Sequence, residues 1–230
     1  MPGLQKLFKL MRLKTGDDIR SELIKKYVKG KSFVDIGCMW RVDGYFSFLA
    51  EESGSNRVVA IDICSASKKF MNEKIKRNSK VEFIQGNISS QEIINKISLI
   101  DVVFCSGVLY HIPEPLRFLH NLRMMCREIL ILATMTIPEM SRIKNVAIFY
   151  PFLDEKQRNI WNLGVEQRAI SKPYRSEDTY ANWFWGFSPS CVESMLKCAG
   201  FEIIERYIRL FQTFFVCRTT SSQLAEIYKR

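Results

Sequence analysis

The chain has 230 residues, 47% of them hydrophobic and 16 of them Phe, enough apolar material for one α/β domain with a modest insertion or two small domains, which excludes global disorder. Its net charge of +10 comes from 34 Lys and Arg spread along the chain, mainly on predicted helix faces, and reads either as a solvated basic surface or as the mark of an anionic partner, RNA or an acidic small molecule. Seven cysteines without a Cys-x-x-Cys and only two histidines, His111 and His120, argue for reduced, buried thiols and against a disulfide frame or a metal site.

The start, Met1-Pro2-Gly3-Leu4, lacks the apolar stretch and cleavage site of a secretory signal, and no segment of about 18 apolar residues occurs, so a cytoplasmic chain without a membrane span is expected. Residues 4 to 13 place Leu4, Leu7, Phe8 and Met11 on one helical face, suited to packing over a domain. A second helix is expected from Asp17 or Asp18 to Gly30. Short apolar strands then alternate with helices. The strands are Ser32 to Ile36, Arg57 to Asp62, Val81 to Gln85, Asp101 to Cys105 and Glu128 to Thr134; the helices are Tyr45 to Ser53, Ser67 to Asn78, Ser90 to Ile97 and Glu114 to Met125. This rhythm predicts a mostly parallel sheet with helices on both faces.

From Ile137 to Phe187 the period is lost and aromatic rings crowd together, among them Tyr150, Trp161, Tyr180, Trp183 and Trp185. A segment this long without a strand signal is more often functional than a connector. Ser188-Pro189 then opens a helix closed by Gly200, and two apolar runs, Phe201 to Ile208 and Phe211 to Arg218, are spaced to pair as an antiparallel hairpin.

In such a sheet, ligands bind outside the carboxyl ends of the strands, where the strand order switches. The residues at those ends carry a pattern. Asp35 and Gly37 end the first strand, and Gly44 opens the helix after it. Asp62 ends the second, where a carboxylate accepts from ribose hydroxyls. Gly86-Asn87 follows the third, and Ser106-Gly107 ends the fourth. Each alone is a turn residue; four in succession point to a nucleoside. A dinucleotide fingerprint is absent, because neither Gly37 nor Gly44 opens a Gly-x-Gly-x-x-Gly, and Asp35 would repel a pyrophosphate while favouring a cationic amine.

On these residues, from about Phe33 to Arg218, the chain resembles the class I S-adenosylmethionine-dependent methyltransferases. Val34-Asp-Ile-Gly-Cys38 is similar to their first motif, Asp62 to their ribose acid and Gly86-Asn87 to their Gly-Asp adenine contact. The segment from Asp101 to Pro115 looks like that of many small-molecule methyltransferases and also of the tRNA wobble-uridine carboxymethyltransferases. The resemblance implies a Rossmann-like sheet with an antiparallel last strand and an S-adenosyl-L-methionine site of Asp35, Gly37, Cys38, Gly44, Asp62, Ile63, Asn87, Ile88 and Ser106. Two departures stand out. Met39 to Val42 lengthens the glycine loop, which must then differ in shape over the methionine part of the cofactor, and Asn87 replaces an aspartate without losing hydrogen-bonding capacity.

For the reaction itself, Tyr110 and His111 lie just past the fourth strand. His111 is either a base for an acceptor proton or a loop residue with a structural hydrogen bond. His120 reads as surface or packing, and Cys105 and Cys126 as buried thiols rather than nucleophiles. Tyr150, Trp183 and Trp185 are expected in the acceptor pocket. The resulting division is residues 1–30 as N-terminal helices, 31–136 and 188–218 as the sheet domain, 137–187 as an aromatic cap, and 219–230 as a tail. The expected activity is methyl transfer to a small molecule, with transfer to tRNA or a non-catalytic cofactor-binding subunit as alternatives.

Overall fold

A computed structural model of the chain describes residues 15–162, 172–209 and 211–228. The expected helix over 4 to 13, the rest of the cap around Gly164, and the side chain of Trp161 lie outside the described residues.

Helix α1 (Gly16–Tyr27) starts one to two residues before the acidic pair expected to open it. Thr15 is its N-cap, and Asp18 reaches back to the Thr15 N–H at 2.8 Å as the third member of a capping box. It ends at Tyr27 rather than Gly30; Gly30 has φ 72° in the turn that follows. The chain then alternates through β1 (Ser32–Ile36), α2 (Tyr45–Glu52), β2 (Arg57–Asp62), α3 (Lys68–Lys76), β3 (Glu82–Gln85), α4 (Gln91–Ile97), β4 (Ile100–Ser106), α5 (Pro115–Met125) and β5 (Cys126–Met135). A 3-10 turn, Leu109–His111, bridges β4 and α5.

The main sheet runs β3-β2-β1-β4-β5-β9-β8. The strands up to β5 are parallel. β9 (Gln212–Thr219) inserts antiparallel between β5 and β8 (Phe201–Arg209), so the predicted hairpin forms and its second strand is the reversed one. This is the Rossmann-like methyltransferase sheet. Alternate strand residues feed two cores. Val34, Val103, Leu130 and Phe215 pack under α4, α5 and α7 (Pro189–Ala199), whereas Phe33, Val102, Phe104 and Ile131 pack under α1, α2 and α3. Burial on both faces explains why these strands read as continuous apolar runs.

The aromatic segment contains two strands that sequence reading missed. β6 (Ala147–Phe149) and β7 (Trp185–Phe187) pair antiparallel as a separate ribbon, with α6 (Glu155–Asn162) and a 3-10 stretch, Ser176–Ala181, between them. At three residues each, they are too short to show a period of two. After β9, helix α8 (Ala225–Tyr228) folds back so that the Tyr228 ring lies 5.0 Å from that of His120, which is buried in packing. All seven cysteines are free thiols, Cys64 being the exposed one. No helix among the described residues is long and apolar enough to cross a membrane, and no cluster of potential metal ligands occurs among them.

Candidate cofactor and acceptor site

Strand order reverses between β1 and β4, so the crevice outside their carboxyl ends is where a ligand belongs. The predicted residues converge there. Gly37 has φ 81°, and a Cβ on it would stand 2.5 Å from Val108 of the β4 loop. The loop beyond it is compact rather than open. Gly44 N–H donates to the Cys38 carbonyl at 2.7 Å, Arg41 and Asp43 take left-handed conformations, and Met39 and Cys38 are buried. The additional residues thus fold into a turn that exposes Trp40 and Arg41 and keeps Met39 inside.

That turn grips Asp62. Asp62 accepts from the Met39 N–H on Oδ2 and from the Cys64 N–H on Oδ1, both at 2.8 Å. Its carboxylate is therefore fixed, and each oxygen keeps a further lone pair for a hydroxyl. Ile63 follows it, half-buried. Asp35 is 2% exposed and accepts from the Ser47 hydroxyl at 2.7 Å. Burial, and then the charge of Asp62, push its carboxyl up to about 7. The thiols of Cys38 and Cys105 are pushed up by burial, and that of Cys126 to about 12, so none is poised as a nucleophile.

At the end of β3, Asn87 Oδ1 accepts from the Ser89 N–H at 2.9 Å, and its Nδ2 donates to the Tyr180 hydroxyl at 3.1 Å. Ile88 is buried beside it. Ser106, at the end of β4, accepts from Nε of Arg20 at 2.8 Å. Arg20 was missed in the sequence. Its place in an ordinary amphipathic helix gives no local signal, yet α1 brings its guanidinium across the sheet edge, over the rings of Phe46 and Phe214. Burial holds that guanidinium below its ordinary pKa range.

Tyr110, His111 and Trp183 form one cluster. The ring centroids of Tyr110 and Trp183 are 4.2 Å apart, and those of Tyr110 and His111 are 4.3 Å apart. Burial raises the Tyr110 hydroxyl to about 12 and lowers the His111 pKa. His111 Nδ1 lies 2.8 Å from the Asn182 carbonyl, and Phe184 N–H donates to the Tyr110 carbonyl at 2.9 Å. Tyr150 is buried 6.4 Å from Trp183, and the two help line a cavity of about 70 Å³. Trp185 stands apart from this cluster. It stacks on Phe187 and donates to the Pro113 carbonyl at 3.3 Å, which makes it a strut at the base of the ribbon. Asn182 was passed over among the rings of the same stretch, although a polar residue between aromatic ones was its visible signal, and Tyr180 was named there only as one of the rings.

The fold is similar to that of known methyltransferases. Residues 34–129 of the chain match the family model of the methyltransferase domain. Among solved structures it is similar to the Burkholderia thailandensis 1,6-didemethyltoxoflavin-N1-methyltransferase, with TM-score 0.61 and 14% identity over 88% of this chain and 77% of that one. It is also similar to the magnesium protoporphyrin IX methyltransferase of Synechocystis PCC 6803, with TM-score 0.57 and 16% identity over 89% and 81%. By sequence it is 30% identical over 108 residues to the tRNA U34 carboxymethyltransferase of Alteromonas mediterranea, covering 42% of this chain and 29% of the relative. The corresponding protein of Campylobacter lari is 28% identical over 218 residues, 84% of this chain and 72% of the relative. The chain thus spans less than a third of the first relative's length and most of the second's.

Proposed function

We propose that this chain is a cytoplasmic enzyme that transfers the methyl group of S-adenosyl-L-methionine to a small-molecule acceptor. The residues fit that cofactor. Asp62 suits the ribose hydroxyls, Asn87 and Ile88 the adenine, buried Asp35 the amine of the methionine end, and Arg20, with Ser106, its carboxylate. Without Cβ atoms, Gly37 and Gly44 let the loop after β1 pack closely on Val108 and Phe70. When bound, the cofactor supplies an electrophilic methyl, and the chain's part is to align an acceptor in line with it. His111, beside Tyr110, takes the acceptor proton on Nε2. Trp183 and Tyr150 wall the acceptor side.

One observation supports a small acceptor above all. The cap meets the site edge at two points, Tyr180 on Asn87 and Asn182 on His111, so residues 172–187 cover the site as a lid that excludes water. Isothermal titration with S-adenosylhomocysteine tests the cofactor half, and the absence of binding by folded protein removes the whole reading. A labelled-methyl screen of metabolites tests the acceptor half.

A second reading, modification of tRNA, is favoured by the Campylobacter lari relative and by the net charge. Tight, steeply salt-dependent retention of tRNA would move the proposal to it.

A further inference from the structure

We propose that Asn182 is a positioning residue: its side chain locks the lid loop 175–182, and its main-chain carbonyl holds His111 with the proton on Nδ1, leaving Nε2 free as the base. The inference rests on the reading of His111 as that base.

The amide of Asn182, 6% exposed, treats Arg175 as a strand partner would. Its Oδ1 accepts from the Arg175 N–H at 3.1 Å, and its Nδ2 donates to the Arg175 carbonyl at 2.5 Å and to the Thr179 carbonyl at 3.2 Å. The Asn182 N–H also donates to Thr179 at 3.3 Å. This closes a ring around Thr179, a non-glycine residue at φ 40°, ψ −113°, an uncommon conformation that surrounding bonds must hold in place. Asn is suited to both roles. Asp lacks the donor, Gln is a methylene longer, and Ala offers neither group.

The consequence falls on His111. A carbonyl oxygen only accepts, so at 2.8 Å the Nδ1 atom carries the hydrogen. In the neutral ring, Nε2 then holds a lone pair. An imidazole with the proton on Nε2 instead would turn a donor toward the acceptor and could not remove its proton. The same loop carries Tyr180, bonded to Asn87 at the cofactor end. One short segment therefore ties the base to the adenine side of the site, and the base is set only while the loop is in place.

The chain suits a direct test, because His111 and His120 are its only histidines. Long-range proton–nitrogen spectra of the full chain labelled with ¹⁵N-histidine distinguish the two tautomers, and His120→Gln assigns the signals. Wild-type His111 is expected as the Nδ1–H form. Asn182→Ala and Asn182→Asp, with their folds checked by backbone spectra, are expected to shift it toward the Nε2–H form of a solvated imidazole. An Nε2–H pattern in the wild type overturns the proposal, and so does an unchanged Nδ1–H pattern in the folded variants. If Asn182→Ala does not fold, the wild type and Asn182→Asp decide. Titration of the same samples with S-adenosylhomocysteine separates the two readings: loss of cofactor binding would sink the methyltransferase proposal and leave the tautomer result standing.

Discussion

Two carboxylates at neighbouring strand ends, Asp35 and Asp62, are treated differently by the fold. Asp62 is held by two backbone N–H donors, and removing it orphans both, along with the ribose contact proposed for it. Asp62→Ala should weaken S-adenosylhomocysteine binding by about 2–3 kcal/mol, roughly the value of hydrogen bonds to a charged group, as read by calorimetry. Asp35 has one hydroxyl donor and deep burial, so its carboxyl sits at about 7 against an ordinary 3.8. The raised value means the folded chain binds this proton more tightly than the unfolded one. The stabilisation it gives is complete below pH 3.8 and is lost as pH rises to about 7. A cationic amine beside it reverses the preference. Cofactor affinity should therefore rise by up to about tenfold per pH unit below 7, level off above it, and release a proton on binding. Titrations in buffers of different ionisation enthalpy check this, and Asp35→Asn should flatten the curve. A flat curve in the wild type would refute the assignment.

At the scale of elements, the proposed reading puts specificity on the glycine loop and the lid. Gly44 is the N-cap of α2 at φ 75°, and a Cβ there would stand 2.3 Å from the ring of Phe70, the fully buried residue of α3. Gly44→Ala should cost about 1–3 kcal/mol of stability by overpacking and an unfavourable φ, measured by urea denaturation. The loop that holds Asp62 through Met39 would shift with it, so cofactor binding should weaken in the same variant. The lid predicts a different signature. Trp183 packs on Tyr110 on the acceptor side, whereas the groups assigned to the cofactor lie mainly on the sheet domain. Trp183→Ala should lower acceptor turnover at least about tenfold through lost alignment, with little change in cofactor affinity. Tryptophan fluorescence should change when cofactor and acceptor are added together.

For the whole molecule, the question is what a charge of +10 does. That charge is the excess of 34 Lys and Arg over 24 Asp and Glu, and several of the bases are ion-paired on the surface, as in Lys31–Glu128, Arg57–Glu82, Lys197–Glu193 and Arg218–Glu202. Such exposed pairs add little stability, but each sets a carboxylate beside a base. A small-acceptor enzyme should therefore bind tRNA weakly. A dedicated RNA surface with about 6–10 phosphate contacts would instead lose about 10³–10⁵ in affinity between 50 and 200 mM salt. Gel shifts across that salt range distinguish the two.

The sequence by itself determined the sheet, because alternation of apolar strands with amphipathic helices is a local property. β1 and β2 fall on their predicted residues, and the closing hairpin forms where two apolar runs sit close together. It also determined the strand-end residues Asp35, Gly37, Asp62, Asn87 and Ser106, since the carboxyl end of a parallel strand is a definite place in the chain. Only the tertiary structure decided what meets across elements. Arg20 reaches Ser106 from 86 positions away, Tyr180 reaches Asn87 from 93, and Asn182 reaches His111 from 71. No periodicity records such contacts, because they depend on how α1 brings Arg20 to the end of β4 and on how the segment before β7 meets Asn87 and His111. The same holds for the two acids. Their residue type and spacing are alike in the sequence, and only packing, by giving Asp62 two backbone donors and burying Asp35 with one, sets them apart.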